Sequence, residues 1–206
     1  MLDQFTAMLA MQDRMNIKVH PEWIRQNFAW HRALWIECGE LIDHYGYKWW
    51  KKQTPEMEQV KLEIVDIWHF GMSMLFDGRS VEQIGADLVA DLKASTVPKR
   101  GVLEATEELA TSVLATRKFS IVDFMSMLDS ADMSLDDLYI AYVGKNVLNF
   151  FRQDNGYKEG TYTKNWAGRE DNEHLVELVV ELDASASDFS EQLYKALDSR
   201  YKQLQS

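Results

Sequence analysis

The sequence predicts an all-α fold, on three observations. Only three prolines (Pro21, Pro55, Pro98) and ten glycines interrupt 206 residues, so long stretches carry nothing that ends a helix. The alternation of β-branched and polar residues that marks a half-buried strand is scarce over four or more positions. Serine or threonine stands repeatedly just ahead of a helical pattern, where its oxygen accepts from the amides that a first turn leaves without partners.

Read in order, helices fall at residues 3–16, 22–45, 55–77, 80–93, 101–117, 120–129, 134–154, 171–183 and 188–204. The third opens on Thr54-Pro55, with proline at the first helical position, where its missing N–H costs nothing. Ser80 with Gln83, Ser120 with Asp123 and Ser134 with Asp137 resemble capping boxes for the fourth, sixth and seventh. Asp77-Gly78 ends the third and Asn155-Gly156 the seventh, because glycine adopts the left-handed backbone that closes a helix. Strands are not needed. Residues 156–170 form one long loop with Gly156, Gly160 and Gly168 among Tyr157, Lys158, Tyr162, Lys164 and Trp166, a composition that points to a functional loop. No internal repeat, low-complexity tract or linker divides the chain, so residues 1–206 read as a single helical domain.

Composition excludes several functions. The net charge of −11 repels nucleic acid, so no nucleic-acid polymer is expected as partner, and an anionic ligand needs locally concentrated cations or a metal. No apolar run approaches the roughly 20 residues that span a bilayer, so no membrane is expected. Met1 to Ala10 lack a basic n-region and a small-residue cleavage site, which makes the cytoplasm the expected compartment. The lone Cys38 allows no intrachain disulfide, thiolate zinc cage or iron–sulfur cluster, so any metal is held by oxygen or imidazole.

Glu37 and Glu40 are three apart on one expected helix, as are Glu63 and Asp66 on the next, which puts each pair on one face. Either pair alone is the common pattern of a solvated face. Both sit in apolar surroundings (Trp30, Ala33, Leu34, Leu41, Ile42; Val60, Leu62, Ile64, Val65, Ile67, Phe70), where carboxylates are expensive unless paired or bound to a cation. Four acids, with His69 three beyond Asp66, make a hard oxygen-rich set that suits Mg²⁺ or Mn²⁺ better than zinc.

Positive charge is concentrated elsewhere. Lys145, Asn149 and Arg152 share one face of the 134–154 helix, and the window from Lys145 to Arg169 holds five basic residues against two acidic ones. Lys48-Trp49-Trp50-Lys51-Lys52 is a second basic patch, with two indoles able to stack on a planar base. Acids for a metal, cations for phosphate oxygens and indoles for a base are the parts of a metal-dependent nucleotide hydrolase. No Gly-x-x-x-x-Gly-Lys loop is present, which sets aside a P-loop enzyme.

These residues resemble the dimeric-type, all-α dUTPases of the all-α nucleoside triphosphate pyrophosphatase superfamily. The likeness spans most of the chain. It is carried by Leu9-Ala10-Met11-Gln12-Asp13 with Asn16, Glu37-Cys38-Gly39-Glu40-Leu41-Ile42-Asp43, Lys48-Trp49-Trp50-Lys51, Glu63-Ile64-Val65-Asp66-Ile67-Trp68-His69-Phe70 and the run from Lys145 to Lys158. The resemblance implies a four-helix-bundle-like core, a homodimer, and hydrolysis of dUTP, and of dUDP as well, to dUMP. It implies Mg²⁺ on Glu37, Glu40, Glu63 and Asp66, with Glu40 as the base that activates water and Glu37 beside it. Lys145, Arg152 and Lys158, with Lys51 of the tryptophan-rich patch, are then the phosphate contacts. Gln12, Asn16, His69 and Asn149, with Trp49 or Trp50, line the uracil and sugar pocket. Tyr47 stands where relatives can carry tryptophan, and residues 93–133 align with no motif.

Because a pocket amide can turn to suit either pyrimidine, a dCTP or mixed dCTP/dUTP pyrophosphatase is the nearest alternative. A di-iron carboxylate bundle finds only half its motif in Asp66-x-x-His69, since His44 is four residues beyond Glu40. An acidic helical interaction module is the non-enzymatic reading, and it has no use for the cationic window.

Overall fold

The computed structural model describes residues 1–184, 186 and 188–205. Among them run α1 (Leu2–Val19), α2 (Trp30–Tyr45), α3 (Met57–Leu75), α4 (Val81–Ala94), α5 (Val102–Thr116), α6 (Ile121–Ser130), α7 (Leu135–Asp154), α8 (Asp171–Glu181) and α9 (Phe189–Gln205). The chain is all-α, as the sequence predicts. Its contacts gather into two compact units, Met1–Tyr139 and Ile140–Ser206, with the boundary inside α7. No helix among the described residues is long and apolar enough to cross a membrane.

In the first unit α2 runs along α3, α5 packs on α2, α1 packs on α3 and α4, and α6 packs on α4 and α5. The sequence of α3 explains its central place. Val60, Ile64, Val65, Ile67, Trp68 and Met72 are all fully buried, which leaves little polar circumference and requires neighbours on several sides. Each such side chain contributes about 1.5–3 kcal/mol by leaving water. Trp68 stacks on Phe124 at 4.8 Å between ring centroids, with Phe5 and Phe119 each at 5.8 Å. Gly71 sits against this cluster because a Cβ there would collide with the Phe119 ring. Gly71→Ala is therefore expected to destabilise the protein by about 1–3 kcal/mol despite alanine's better helix propensity, and a thermal melt beside wild type checks it.

The caps follow the sequence in part. Ser80 and Gln83 form a reciprocal box, and Ser134 and Asp137 exchange backbone-to-side-chain bonds of 2.9 and 3.1 Å. Ser120 accepts from the Asp123 amide at 3.2 Å, but the Asp123 carboxylate turns to Arg100. Two expected starts differ. The helix expected from residue 22 is a 3-10 turn at Trp23–Gln26, then Asn27 in the left-handed region at φ 49°, and α2 begins only at Trp30. Two helical turns would separate Trp23 and Trp30 by about 10.5 Å of rise. The break instead brings their rings to 6.0 Å and sets Trp23 on Phe76 at 5.0 Å. The helix expected from Pro55 begins at Met57, uncapped by any side chain. Its start is pinned from α2, where the His44 carbonyl accepts from the Glu56 amide at 3.0 Å and His44 Nδ1 lies 2.9 Å from Glu56 Oε2.

In the second unit the long loop is ordered by strands that the sequence reading left out. β1 (Asn165–Trp166) and β2 (Arg169–Glu170) pair antiparallel across Ala167-Gly168, both at positive φ, the backbone of a two-residue hairpin that matches strand twist. The hairpin places Trp166 in a buried aromatic cluster with Phe151, Tyr162 and Tyr201. α8 then starts from a Glu170/Glu173 capping box.

Candidate functional site

The packing of α2 on α3 brings Glu37, Glu63 and Asp66 together, each with an oxygen within 4.8 Å of the others'. The i, i+3 spacing of Glu63 and Asp66 presents both from one face of α3, and Glu63 is buried. Burial pushes the Glu37 carboxyl up to about 8, reinforced by the charge of Asp66, a hydrogen bond with Glu63 and the charges of Glu63 and Glu40. Anions gathered this closely with no cation share a proton instead of all ionising. Glu40, one turn further along α2, is exposed and stands outside the group of three, though its charge is felt at Glu37. His44 Nε2 lies 3.7 Å from Glu63 Oε1, so the histidine that pins the start of α3 also borders the acids. Cys38, between the acids on α2, is buried with its thiol pushed up to about 12 by burial and by Glu37, too high for a reactive thiolate at neutral pH.

Further along α3, His69 and Ser73 meet Gln12 and Asn16 of α1 in a buried polar network. His69 Nδ1 and Gln12 Oε1 are 2.7 Å apart. Gln12 Nε2 donates to Asn16 Oδ1 and to Ser73 Oγ, both at 3.1 Å, and Asn16 Nδ2 donates to Ser73 Oγ at 3.0 Å. The Ser73 hydroxyl donates to the His69 carbonyl at 2.9 Å. Three residues expected from the sequence to read a base are thus joined, through a fourth that the sequence reading missed. The available signal was spacing, since Ser73 follows His69 by four. Ser73 also lines a cavity of about 360 Å³ walled by Trp23, Phe28, Trp30 and Phe76, with Arg117 among its lining residues.

Trp49, Trp50 and Lys51 lie on the loop between α2 and α3. Trp49 is 91% exposed and Trp50 60%, edge to face at 5.5 Å, and Lys51 is exposed. Large apolar rings left this exposed suit a surface that something else covers.

The second unit carries the remaining candidates. Lys145 is buried and donates to Asn172 Oδ1 at 3.1 Å. Arg152 grips Asp171 with two bonds, Nε to Oδ2 at 2.8 Å and Nη2 to Oδ1 at 2.7 Å, and its Nη1 reaches Asn149 Oδ1 at 3.2 Å. Tyr162 donates to Asp171 at 2.8 Å. Burial opposes ionisation of Asp171, but the Arg152 bonds and charge outweigh it and hold the carboxyl below its usual range. Burial and Asp171 raise the Tyr162 phenol well above its own. Lys158 is exposed on the loop. The sequence reading missed Asp171, which lies 19 residues beyond Arg152 with no local pattern to link them.

Three helices of the first unit thus offer an oxygen-rich cation site and an amide-lined network, and the second unit offers a set of cations. Compared with known families, residues 4–157 match a family whose description is dUTPase. No curated protein matches the chain.

Proposed function

Because the chain belongs to the all-α dUTPase family and is an enzyme of the dUTP diphosphatase type, we propose that it hydrolyses dUTP, and dUDP as well, to dUMP in a Mg²⁺-dependent reaction. The observation that carries this reading is the convergence of Glu37, Glu63 and Asp66 from two helices that lie inside the matched region. The three form a hard, all-oxygen donor set that fits Mg²⁺ or Mn²⁺, and their unbalanced charge at Glu37 is what a divalent cation relieves. Glu37, Glu63 and Asp66 would hold the ion, with Glu40 joining from solvent. When bound, the ion offsets charge on the phosphate oxygens.

The chain's own groups do the rest. Glu40 is exposed, with no hydrogen-bond or ion-pair partner among the described residues, and so is available to a water. In this reading it takes a proton as the water oxygen bonds to phosphorus and the bond to the α–β bridging oxygen breaks. The electron pair leaves with the group across that oxygen, which is pyrophosphate (phosphate for dUDP) for attack at the α-phosphorus and dUMP for attack at the β-phosphorus. Lys145, Arg152, Lys158 and Lys51 stabilise the phosphate oxygens. Gln12, Asn16, His69 and Asn149 recognise base and sugar, with an indole of Trp49 or Trp50 stacked on the base. Residues 1–206 act as one functional domain, and the enzyme is a homodimer. The exposed Trp35 and Ile36 of α2 are apolar surface of the kind a second copy covers.

The test is release of pyrophosphate from dUTP, dCTP, dTTP, dATP and dGTP, with Mg²⁺ and with a chelator. The expected result is Mg²⁺-dependent release with dUTP preferred. Preference for dCTP would keep the chemistry and overturn the base assignment, and no release from any nucleotide would overturn the proposal.

A further inference from the structure

We infer that Ser73 is the positioning residue that fixes the polarity of the Gln12–Asn16–His69 network and thereby sets uracil against cytosine. This rests on the reading above, in which that network faces the base. The basis is a valence count. A hydroxyl has one proton and two lone pairs. The Ser73 proton goes to the His69 carbonyl, and its lone pairs accept from Gln12 Nε2 and Asn16 Nδ2. Both amides must therefore turn their nitrogens toward Ser73. With Nε2 so placed, Gln12 Oε1 is the atom that meets His69 Nδ1, 2.7 Å away, and that nitrogen must carry a proton to donate. Asn16 Oδ1 is the atom that accepts from Gln12 Nε2.

The reversed arrangement does not close. Turning both amides would set two oxygens against Ser73, whose single proton can satisfy one of them only by leaving the His69 carbonyl. It would also require the other His69 tautomer, with the ring proton on Nε2 and Nδ1 accepting from Gln12 Nε2. Turning Asn16 alone would set its nitrogen against that of Gln12. In a network this buried each such mismatch leaves a polar group unsatisfied. The serine hydroxyl thus selects one of two networks that the amides alone would allow.

The consequence falls on Asn16, the amide that keeps both a donor and an acceptor to spare. Asn16 keeps one N–H and one oxygen lone pair without a partner among the described residues. A carboxamide in fixed orientation presents acceptor and donor in fixed order. Uracil offers N3–H beside the O4 carbonyl, and cytosine offers an unprotonated N3 beside an amino group, so the order that suits one base opposes the other. An amide that turned at no cost would accept both. Ser73 makes turning costly without touching the base.

The experiment compares wild type, Ser73→Ala and Ser73→Thr for kcat and KM on dUTP and dCTP, with circular dichroism melts to establish folding. Ser73→Ala is expected to lower the dUTP to dCTP ratio of kcat/KM by about tenfold or more, through KM more than kcat. Ser73→Thr keeps the hydroxyl and is expected to retain the ratio. A folded Ser73→Ala protein with the wild-type ratio would overturn the lock and leave the uracil reading standing. Wild type without preference for dUTP over dCTP would overturn both. A second measurement needs no variant: ¹⁵N spectra of wild type should show His69 protonated at Nδ1, and a ring protonated at Nε2 alone would overturn the assignment.

Discussion

Glu63→Gln is expected to lower dUTP turnover by at least about 10²–10³-fold while making the metal-free protein more stable at pH 8. The two effects have one cause. Glu63 is buried against Glu37 and Asp66, so the metal-free fold holds carboxylates that repel one another, and the substitution removes one charge along with one cation ligand. The sign of the pH dependence follows from Glu37, which is raised from an ordinary value near 4.5 to about 8, first by burial and then by its acidic neighbours. Between those values the folded state binds the Glu37 proton more tightly than the unfolded chain does. The stabilisation is fully present below pH 4.5 and is lost as pH rises through 8. Metal-free wild type is thus expected to melt at progressively lower temperature from pH 5 to pH 8, and Glu63→Gln to show a flatter profile. Added Mg²⁺ should raise the wild-type Tm most at the alkaline end, where no proton need be displaced, and leave the variant unmoved. Melting curves across pH with and without Mg²⁺ check both. A variant whose metal-free stability fell at pH 8 would show that Glu63 serves packing more than charge.

Most of the helical frame was legible because its signals are local. Capping serines, a glycine at φ +100° after α3 and another at φ +88° after α7, and apolar runs at helical spacing report on neighbours within a few residues. The acids were legible for the same reason: spacing put Glu63 and Asp66 on one face, and burial was foreshadowed by the apolar residues around them. What the sequence could not show depends on contacts between distant segments. The break at Asn27 exists because Trp23 packs on Phe76, some fifty residues on, with its indole N–H on Asp13 at 3.0 Å. The late start of α3 is set by His44, and Ser73 acquires its role only when α1 supplies two amides. Glu40 shows the limit of spacing from the other side. It shares a face with Glu37 in projection, yet at the end of one more turn it is exposed, and the group of three closes without it.

Arg152→Ala is expected to destabilise the second unit by about 3–5 kcal/mol, a fall in Tm on the order of 10 °C. From sequence Arg152 is a cation on a helix face awaiting a phosphate, but in the fold its guanidinium also closes a fork on Asp171, whose side chain is fully buried. Truncation would leave that carboxylate in the interior with only the Tyr162 hydroxyl and the more distant charge of Lys145 to offset it. Tyr162 lies in the loop between α7 and α8 and Asp171 opens α8, so the ion pair ties α7 to both. Its loss should expose residues 155–164 to protease as well as lower the melt. Two companions separate support of the fold from contact with substrate. Asp171→Asn removes the acid and keeps every arginine donor, so nucleotide KM should change little if Arg152 binds phosphate independently, and should rise if the fork must first be held in place. Arg152→Lys keeps the charge and loses the planar bidentate geometry, so it should recover little of the stability even where it recovers phosphate affinity. A stable, protease-resistant Arg152→Ala protein would mean that Asp171 finds another partner and that the arginine is available to the nucleotide alone.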